Sequence, residues 1–132
     1  MKISHGRRKA KGSAFERWLV HEFWKNGWGA SRIAGSGSTR HLAPDIIAGK
    51  PGRVTVIEAK TTTEKTKYLT VEEVDMLIEY ARAFGAEPWI AVKFKGNSIA
   101  MFPANSARRT EKSVIISKDD PLIMTFVEFL ED

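Results

Sequence analysis

The stretch that most constrains this chain runs from Asp45 to Lys60 and carries an apolar run on each side of a turn sequence. Residues 46–48 are apolar, and residues 54–59 are β-branched at four of six positions, which favours a strand. Lys-Pro-Gly-Arg at residues 50–53 is typical of a tight turn, because proline and glycine supply its backbone angles. The stretch therefore predicts a β-hairpin around which the rest of the chain packs.

Three charged side chains interrupt this apolar hairpin. Glu58 and Lys60 share one face of the second strand, because side chains alternate along a strand. A two-residue loop at residues 51–52 places Asp45 directly opposite Glu58, and a four-residue loop at residues 49–52 places it diagonal to Glu58 on the same face. A three-residue loop without a bulge would turn Asp45 to the other face. The first two registers both bring the carboxylates together.

Two carboxylates on a mostly apolar sheet need a compensating partner, since like charges roughly 5 Å apart destabilise a sheet. A divalent cation would supply it, and Mg²⁺ prefers oxygen ligands. Asp45 and Glu58 are therefore candidate metal ligands, with the backbone carbonyl of Ala59 as a third. Such charges also occur on solvated edge strands, but the buried character of residues 54–57 favours a site.

The pattern Pro-Asp, twelve residues, Glu-x-Lys suits phosphodiester hydrolysis. That reaction needs a neutralised transition state and a deprotonated water. Lys60 would hold or help deprotonate the attacking water, or it would stabilise negative charge on the phosphate. The sequence leaves these two roles open.

Charge is distributed unevenly along the chain. The formal net charge is +5, and residues 1–50 hold ten Lys and Arg against three Asp and Glu. This basic excess beside the hairpin indicates a polyanionic partner, most simply nucleic acid. Residues 1–12 predict a basic, flexible arm, for which a solubilising tail is the alternative. The candidate DNA contacts of this arm are Arg7, Arg8, Lys9 and Lys11.

Length and residue types narrow the class of protein. The 132 residues predict a single domain with one core. Cysteine is absent, which excludes disulfides and thiolate metal sites and favours a cytoplasmic protein. The sequence has no signal-peptide pattern and no apolar run near the roughly 20 residues of a membrane span, so no membrane partner is expected.

Two predicted helices carry the same N-terminal signal. Ser13 and Glu16 fit a capping box that opens a helix running to residues 26–27. Thr70 and Glu73 fit a second box that opens another helix. Glu16 is interpreted first as a helix cap, with a metal-site carboxylate as the alternative. The second box has no functional site attached to it.

The remaining elements are predicted from apolar patterns and turn residues. They are strands at 88–94, 98–102 and 113–117, a short strand or connector at 28–33, polar loops at 35–41 and 61–67, and a helix that starts at 119–121. The order is helix, hairpin, helix, strand, strand, helix. This order predicts an α/β fold with a mixed central β-sheet flanked by α-helices.

Taken together, these motifs resemble the archaeal-type Holliday-junction resolvases, small members of the restriction-endonuclease-like nuclease superfamily. The resemblance is carried by residues 11–17 (KGSAFER), 32–38 (RIAGSGS), 44–48 (PDIIA), 56–60 (VIEAK), 78–82 (IEYAR), 102–103 (FP) and 108–110 (RRT). It implies a single nuclease domain that forms a homodimer, binds four-way DNA junctions and makes paired symmetric nicks with Mg²⁺ or Mn²⁺. Another branched-DNA or restriction-type nuclease, or a non-catalytic DNA-binding module, are the alternatives.

Carried over position by position, the resemblance implies an active site and a set of DNA contacts. The implied catalytic residues are Glu16, Asp45, Glu58, Lys60 and Ser36. The first three of these are the implied metal-site carboxylates. The implied DNA-engaging residues are Arg17, Arg32 and Ser38, to which Arg40 is added as a candidate phosphate contact beside the loop. The resemblance thus adds a site role to the capping role of Glu16.

Overall fold

The computed structural model describes residues 5–33 and 43–132, with side chains from residue 12 onward in those ranges. The helices are α1 (His5–Lys25), α2 (Val71–Phe84) and α3 (Phe126–Glu131). The strands are β1 (Gly29–Arg32), β2 (Ile46–Lys50), β3 (Arg53–Thr61), β4 (Thr66–Thr70), β5 (Glu87–Lys93), β6 (Ile99–Pro103), β7 (Arg108–Arg109), β8 (Ser113–Ser117) and β9 (Met124–Thr125).

A six-stranded mixed sheet forms the centre of the fold, with strand order β1-β2-β3-β5-β6-β9. Strands β3 and β5 are parallel, and the other neighbours in this sheet are antiparallel. The parallel pair is connected through β4 and α2, as a crossover requires. The predicted α/β fold with a mixed central sheet and flanking helices is confirmed.

Helices cover both faces of this sheet. On one face, α1 and α3 bury an aromatic cluster that includes Phe15, Phe23 and Phe129. On the other face, Val74, Leu77 and Ala81 of α2 pack into a second cluster together with a small sheet. That small sheet has the order β4-β8-β7. None of the described helices is long and apolar enough to cross a membrane.

The β2–β3 hairpin has the register that a two-residue loop predicts. Lys50 pairs with Arg53 and Ile46 pairs with Ile57, so the four-residue loop is excluded. Gly52 adopts a φ of 85°, which glycine tolerates without steric cost. The backbone N–H of Asp45 donates to the carbonyl of Ile57 at 3.1 Å, which continues the pairing by one step.

Helix α1 begins earlier than predicted. It starts at His5, so Ser13 lies within the helix and the predicted Ser13–Glu16 capping box does not form. The predicted arm of residues 1–12 is therefore helical from residue 5 onward, and residues 1–4 lie outside the described residues. Lysine, arginine and alanine at positions 7–11 are good helix formers, which explains the extension.

Two further predictions are wrong in the part of the chain after the hairpin. The predicted polar loop at 61–67 instead ends β3 at Thr61 and begins β4 at Thr66, which pairs with β8. The predicted helix start at 119–121 is a turn, and α3 begins at Phe126 behind a capping box of Thr125 and Glu128. Because of the first error, the sequence prediction lacks the strand β4 of the small second sheet. Because of the second, it lacks the turn that follows β8.

Arg53 ties the hairpin turn to the C-terminal helix. Its side chain donates to the carbonyls of Phe129 at 3.0 Å and Asp132 at 3.1 Å, and to the Glu87 carboxylate at 3.1 Å. Its guanidinium also lies 4.7 Å from the centre of the Phe129 ring and 5.4 Å from that of Trp28. The Arg53 side chain is only 11% exposed, although its partners Glu87 and Asp132 lie at the surface.

We expect Arg53→Ala to lower the free energy of unfolding by about 2 kcal/mol, because it takes the donor from the partly buried Phe129 carbonyl and removes the cation–π contacts of a largely buried guanidinium. Urea unfolding followed by circular dichroism measures the change. Arg108→Ala, at an exposed position on β7, is the matched control and should change stability by at most about 0.5 kcal/mol. Equal stabilities of the two variants would contradict this role of Arg53.

Candidate active site

Two carboxylates face each other at the open end of the hairpin. Asp45 follows the β2–β3 register to a position opposite Glu58. The Oδ2 atom of Asp45 accepts a hydrogen bond from the backbone N–H of Ala59 at 2.9 Å, which holds the carboxylate against β3. The buried Oε1 atom of Glu58 has no hydrogen-bond partner in the described parts of the chain. The structure thus brings these two predicted residues together.

Asp45 and Glu58 would repel each other if both carboxyl groups were ionised. Burial and then the negative charge of Asp45 raise the pKa of Glu58 to about 8. A hydrogen bond between the two carboxyl groups favours the protonated form further. A site that holds a carboxyl proton this tightly has a surplus of negative charge, and this surplus is the physical signature of a place for a cation.

Lys60 lies on the same face of β3 as Glu58 and points toward α2. Its Nζ atom is 2.8 Å from the Oε1 atom of Glu73 and 4.0 Å from the Oε2 atom of Glu58. Burial by itself would lower the pKa of Lys60, but the hydrogen bond to Glu73 and the charge of Glu58 outweigh burial and raise it. Lys60 is therefore an ammonium ion held by the Glu73 carboxylate, with Glu58 close by.

Glu73 is the residue at this site that sequence reasoning missed. It was assigned only to the capping box of α2, and that box does form. Its carboxylate nevertheless reaches Lys60 as well. The topology contains a signal for this contact: α2 belongs to the crossover that follows β3, so its first turn lies near the end of the strand where Lys60 sits.

Glu16 lies beside the pair on α1. Its Oε1 atom accepts a hydrogen bond from Nε of Arg32 at 3.3 Å. Burial and the negative charge of Asp45 raise the pKa of Glu16, so the two carboxylates are near enough to interact. Within residues 5–33 and 43–132, however, no three acidic or histidine side chains form a group that could hold a metal together. A direct metal contact for Glu16 stays a prediction.

The predicted DNA contacts are placed unevenly. Arg17 is exposed next to Glu16, and Arg32 is exposed and paired with Glu16. Ser36, Ser38 and Arg40 lie outside the described residues. The backbones of Arg7, Arg8, Lys9 and Lys11 belong to α1, but their side chains are outside the described part. Of all the predicted site residues, those that the structure brings together are Glu16, Asp45, Glu58, Lys60 and Arg32.

A lysine-rich cavity of about 610 Å³ lies next to this site. Its lining residues are Thr62, Glu64, Lys65, Thr66, Lys67, Tyr68 and Lys95. Burial and the positive charge of Lys60 lower the pKa of Lys67, which places this lysine within the electrostatic reach of the site. The lining residues from Thr62 to Lys67 fall in the polar loop predicted at 61–67, and the structure places them in the β3–β4 connection and at the start of β4.

A family model for the archaeal Holliday junction resolvases (Hjc) matches residues 7–131. The chain belongs to this family. The match spans nearly the whole chain and includes α1, the hairpin and the elements that follow it. The resemblance drawn from the motifs is confirmed.

Relatives of known name agree with this assignment. The crossover junction endodeoxyribonuclease Hjc of Archaeoglobus fulgidus is 42% identical over 110 residues, which are 83% of this chain and 81% of the relative. The enzyme of the same name from Methanocaldococcus jannaschii is 32% identical over 120 residues, which are 91% of this chain and 86% of the relative.

A solved structure shares the fold. The 1.6 Å structure of A. fulgidus Hjc, described as a Holliday junction resolvase from an archaeal hyperthermophile, superposes with a TM-score of 0.82 at 37% identity. The match covers 92% of this chain and 97% of that one. The predicted restriction-endonuclease-like fold is thereby confirmed.

Proposed function

We propose that this chain is a single nuclease domain that resolves four-way DNA junctions by paired symmetric nicks. The observation that carries the proposal is the convergence of Asp45, Glu58 and Lys60 at the end of β3, in a chain of the Hjc family. Two partly buried carboxyl groups and an ammonium ion at one place match the needs of phosphodiester hydrolysis. The activity is that of an endodeoxyribonuclease.

The donor set fits Mg²⁺, for which Mn²⁺ would substitute. Glu58 offers a buried oxygen with no partner among the described residues, and the charge of Asp45 adds to the surplus at this position. Asp45 and Glu58 would hold the ion, with the carbonyl of Ala59 and the carboxylate of Glu16 as further oxygens. When bound, the ion would neutralise the phosphate and lower the pKa of a water.

Lys60 supplies positive charge to the same reaction. The sequence left open whether it deprotonates the water or stabilises charge on the phosphate. Its hydrogen bond with Glu73 and its raised pKa favour the ammonium form at neutral pH, so the second role is supported. An ammonium ion beside the scissile phosphate stabilises the negative charge that develops there.

Several cations surround this centre and suit a DNA backbone. We assign phosphate contacts to Arg17, Arg32 and the cavity lysines Lys65, Lys67 and Lys95. The further assigned contacts are Arg7, Arg8, Lys9, Lys11, Ser38 and Arg40, with Ser36 in a catalytic role.

Because one nick does not resolve a junction, two copies of the chain must act together, which supports a homodimer. We propose that the enzyme acts on intracellular DNA in the cytoplasm.

An end-labelled immobile four-way junction tests the proposal. With Mg²⁺, we expect nicks at symmetric positions in two opposing strands and little cutting of a linear duplex of the same arm sequence. Equal binding and cutting of junction and duplex would favour a restriction-type nuclease. Binding without cutting in either Mg²⁺ or Mn²⁺ would favour a DNA-binding module and overturn the proposal.

A further inference from the structure

The carboxylate of Glu73 serves two elements at once. Its Oε2 atom accepts hydrogen bonds from the backbone N–H of Thr70 at 2.9 Å and from the Thr70 hydroxyl at 3.2 Å. Its Oε1 atom accepts from Nζ of Lys60 at 2.8 Å. One oxygen therefore caps α2 and the other oxygen holds a lysine of the candidate active site.

We propose that Glu73 is a positioning residue for Lys60, fixing its ammonium group beside the reaction centre from the capping box of α2. The inference rests on the proposed function, because it concerns how Lys60 is presented to the phosphate. Glu73 itself does not contact the substrate in this proposal. It acts through Lys60.

Glu58 lies too far from Lys60 to hold its ammonium group with a hydrogen bond. Its nearest oxygen is 4.0 Å from Nζ of Lys60, which exceeds a hydrogen-bond distance. In the ranges that the structure describes, the carboxylates within ion-pair distance of Lys60 are those of Glu58 and Glu73. If Glu58 turns to a cation, Glu73 is the partner that keeps Lys60 in place. Glu73 thus leaves Glu58 available for a metal.

The anchor itself is rigid. Lysine carries its charge on a flexible four-carbon chain, so an unheld ammonium samples many positions. Glu73 is held by reciprocal bonds, since its own backbone N–H donates to the Thr70 hydroxyl at 3.0 Å. The next turns of α2 are fixed by the buried side chains of Val74 and Leu77. The ammonium group of Lys60 is therefore held by a residue of a packed helix rather than by a residue of a loop.

The simplest alternative is that Glu73 only caps its helix. The chain contains a matched control for that case in the capping box of Thr125 and Glu128. There the Glu128 carboxylate accepts from the Thr125 N–H at 3.0 Å, and no ion pair to it occurs among the described residues. The two boxes share their chemistry and differ in the contact with a lysine.

Glu73→Gln separates capping from positioning. Glutamine is also found at this position of capping boxes, so its single oxygen can still accept from the Thr70 N–H. Its amide group then offers Lys60 a donor instead of a charged acceptor. We expect the single-turnover rate of junction cleavage to fall about 10- to 100-fold, with KM little changed. Glu128→Gln should stay within about twofold of the wild type.

Two further measurements exclude a purely structural effect. Thr70→Ala weakens the cap but keeps the Glu73 contact, so it should lower Tm and leave the cleavage rate within about threefold of the wild type. In ¹⁵N spectra of the lysine ammonium groups, the Lys60 signal, assigned by its loss in Lys60→Met, should disappear in Glu73→Gln. It should persist in Glu128→Gln.

The outcomes are distinguishable. If the wild type and Glu128→Gln do not cut the junction, the proposed function is wrong. If both cut it and Glu73→Gln cuts equally fast, only the positioning role is overturned. Equal losses of rate in Thr70→Ala and Glu73→Gln, or an unchanged Lys60 signal in Glu73→Gln, would also overturn that role.

Discussion

Asp45→Asn is expected to slow junction cleavage about a thousandfold or more while leaving junction binding close to that of the wild type. Asparagine has the same shape, and its side-chain oxygen can still accept from the N–H of Ala59, so the hairpin should keep its register. The substitution removes the negative charge opposite Glu58. Without that charge the pair no longer presents two carboxylates to a cation.

Single-turnover cleavage and a gel-shift titration without metal would measure the two quantities separately. Asp119→Asn, in an exposed turn, is the matched control and should cut at the wild-type rate. A loss of less than about tenfold for Asp45→Asn would contradict the assignment, because removal of one important electrostatic contact usually costs a hundredfold or more. A parallel loss of binding would indicate a role in DNA contact instead.

The hairpin was predictable because its determinants are local. Proline and glycine define the turn, and the two-residue spacing of strand side chains then determines which residues share a face. The register observed from Lys50–Arg53 to Ile46–Ile57 is one of the two predicted registers that bring Asp45 and Glu58 together. The charged pair is a consequence of short-range geometry.

The contribution of α2 was not predictable in the same way. Ser13–Glu16 and Thr70–Glu73 carry the same local pattern, yet only the second forms a capping box. Good helix formers before Ser13 extend α1 and remove the first box. The contact of Glu73 with Lys60 depends on how α2 packs over β3, which is a tertiary property. The local pattern predicts both capping boxes equally, and only the surrounding helix context separates them.

The small second sheet was missed for a related reason. Its strand β4 is short, and Thr66 and Lys67 at its start continue the polar stretch that predicts a loop. What makes it a strand is the ladder of hydrogen bonds with β8, whose residues lie more than 40 positions later in the chain. Pairing across such a separation leaves little trace in either segment. Of the cavity lysines, Lys65 and Lys67 fall in the same predicted loop as this strand.

Glu58→Gln is expected to abolish cleavage and to stabilise the fold at alkaline pH. In the folded protein the pKa of Glu58 is raised from 4.5 to about 8, so the folded state holds a proton that the unfolded state has released. Stability should therefore fall as pH rises from about 4.5 to about 8, and level off above that range. Glutamine keeps a donor facing Asp45 without any charge to desolvate.

At about 1.4 kcal/mol per pKa unit, the difference in unfolding free energy between Glu58→Gln and the wild type should approach about 5 kcal/mol at pH 9 and should nearly vanish at pH 4. Urea unfolding across this pH range measures it, with the exposed Glu111→Gln as control. Added Mg²⁺ should raise the Tm of the wild type at pH 8, because an ion between the carboxylates replaces the lost proton. It should not raise the Tm of Glu58→Gln comparably. A wild-type stability that is flat from pH 5 to pH 8 would show that Glu58 is not strained by Asp45, and the cation site inferred from that strain would then lose its physical basis.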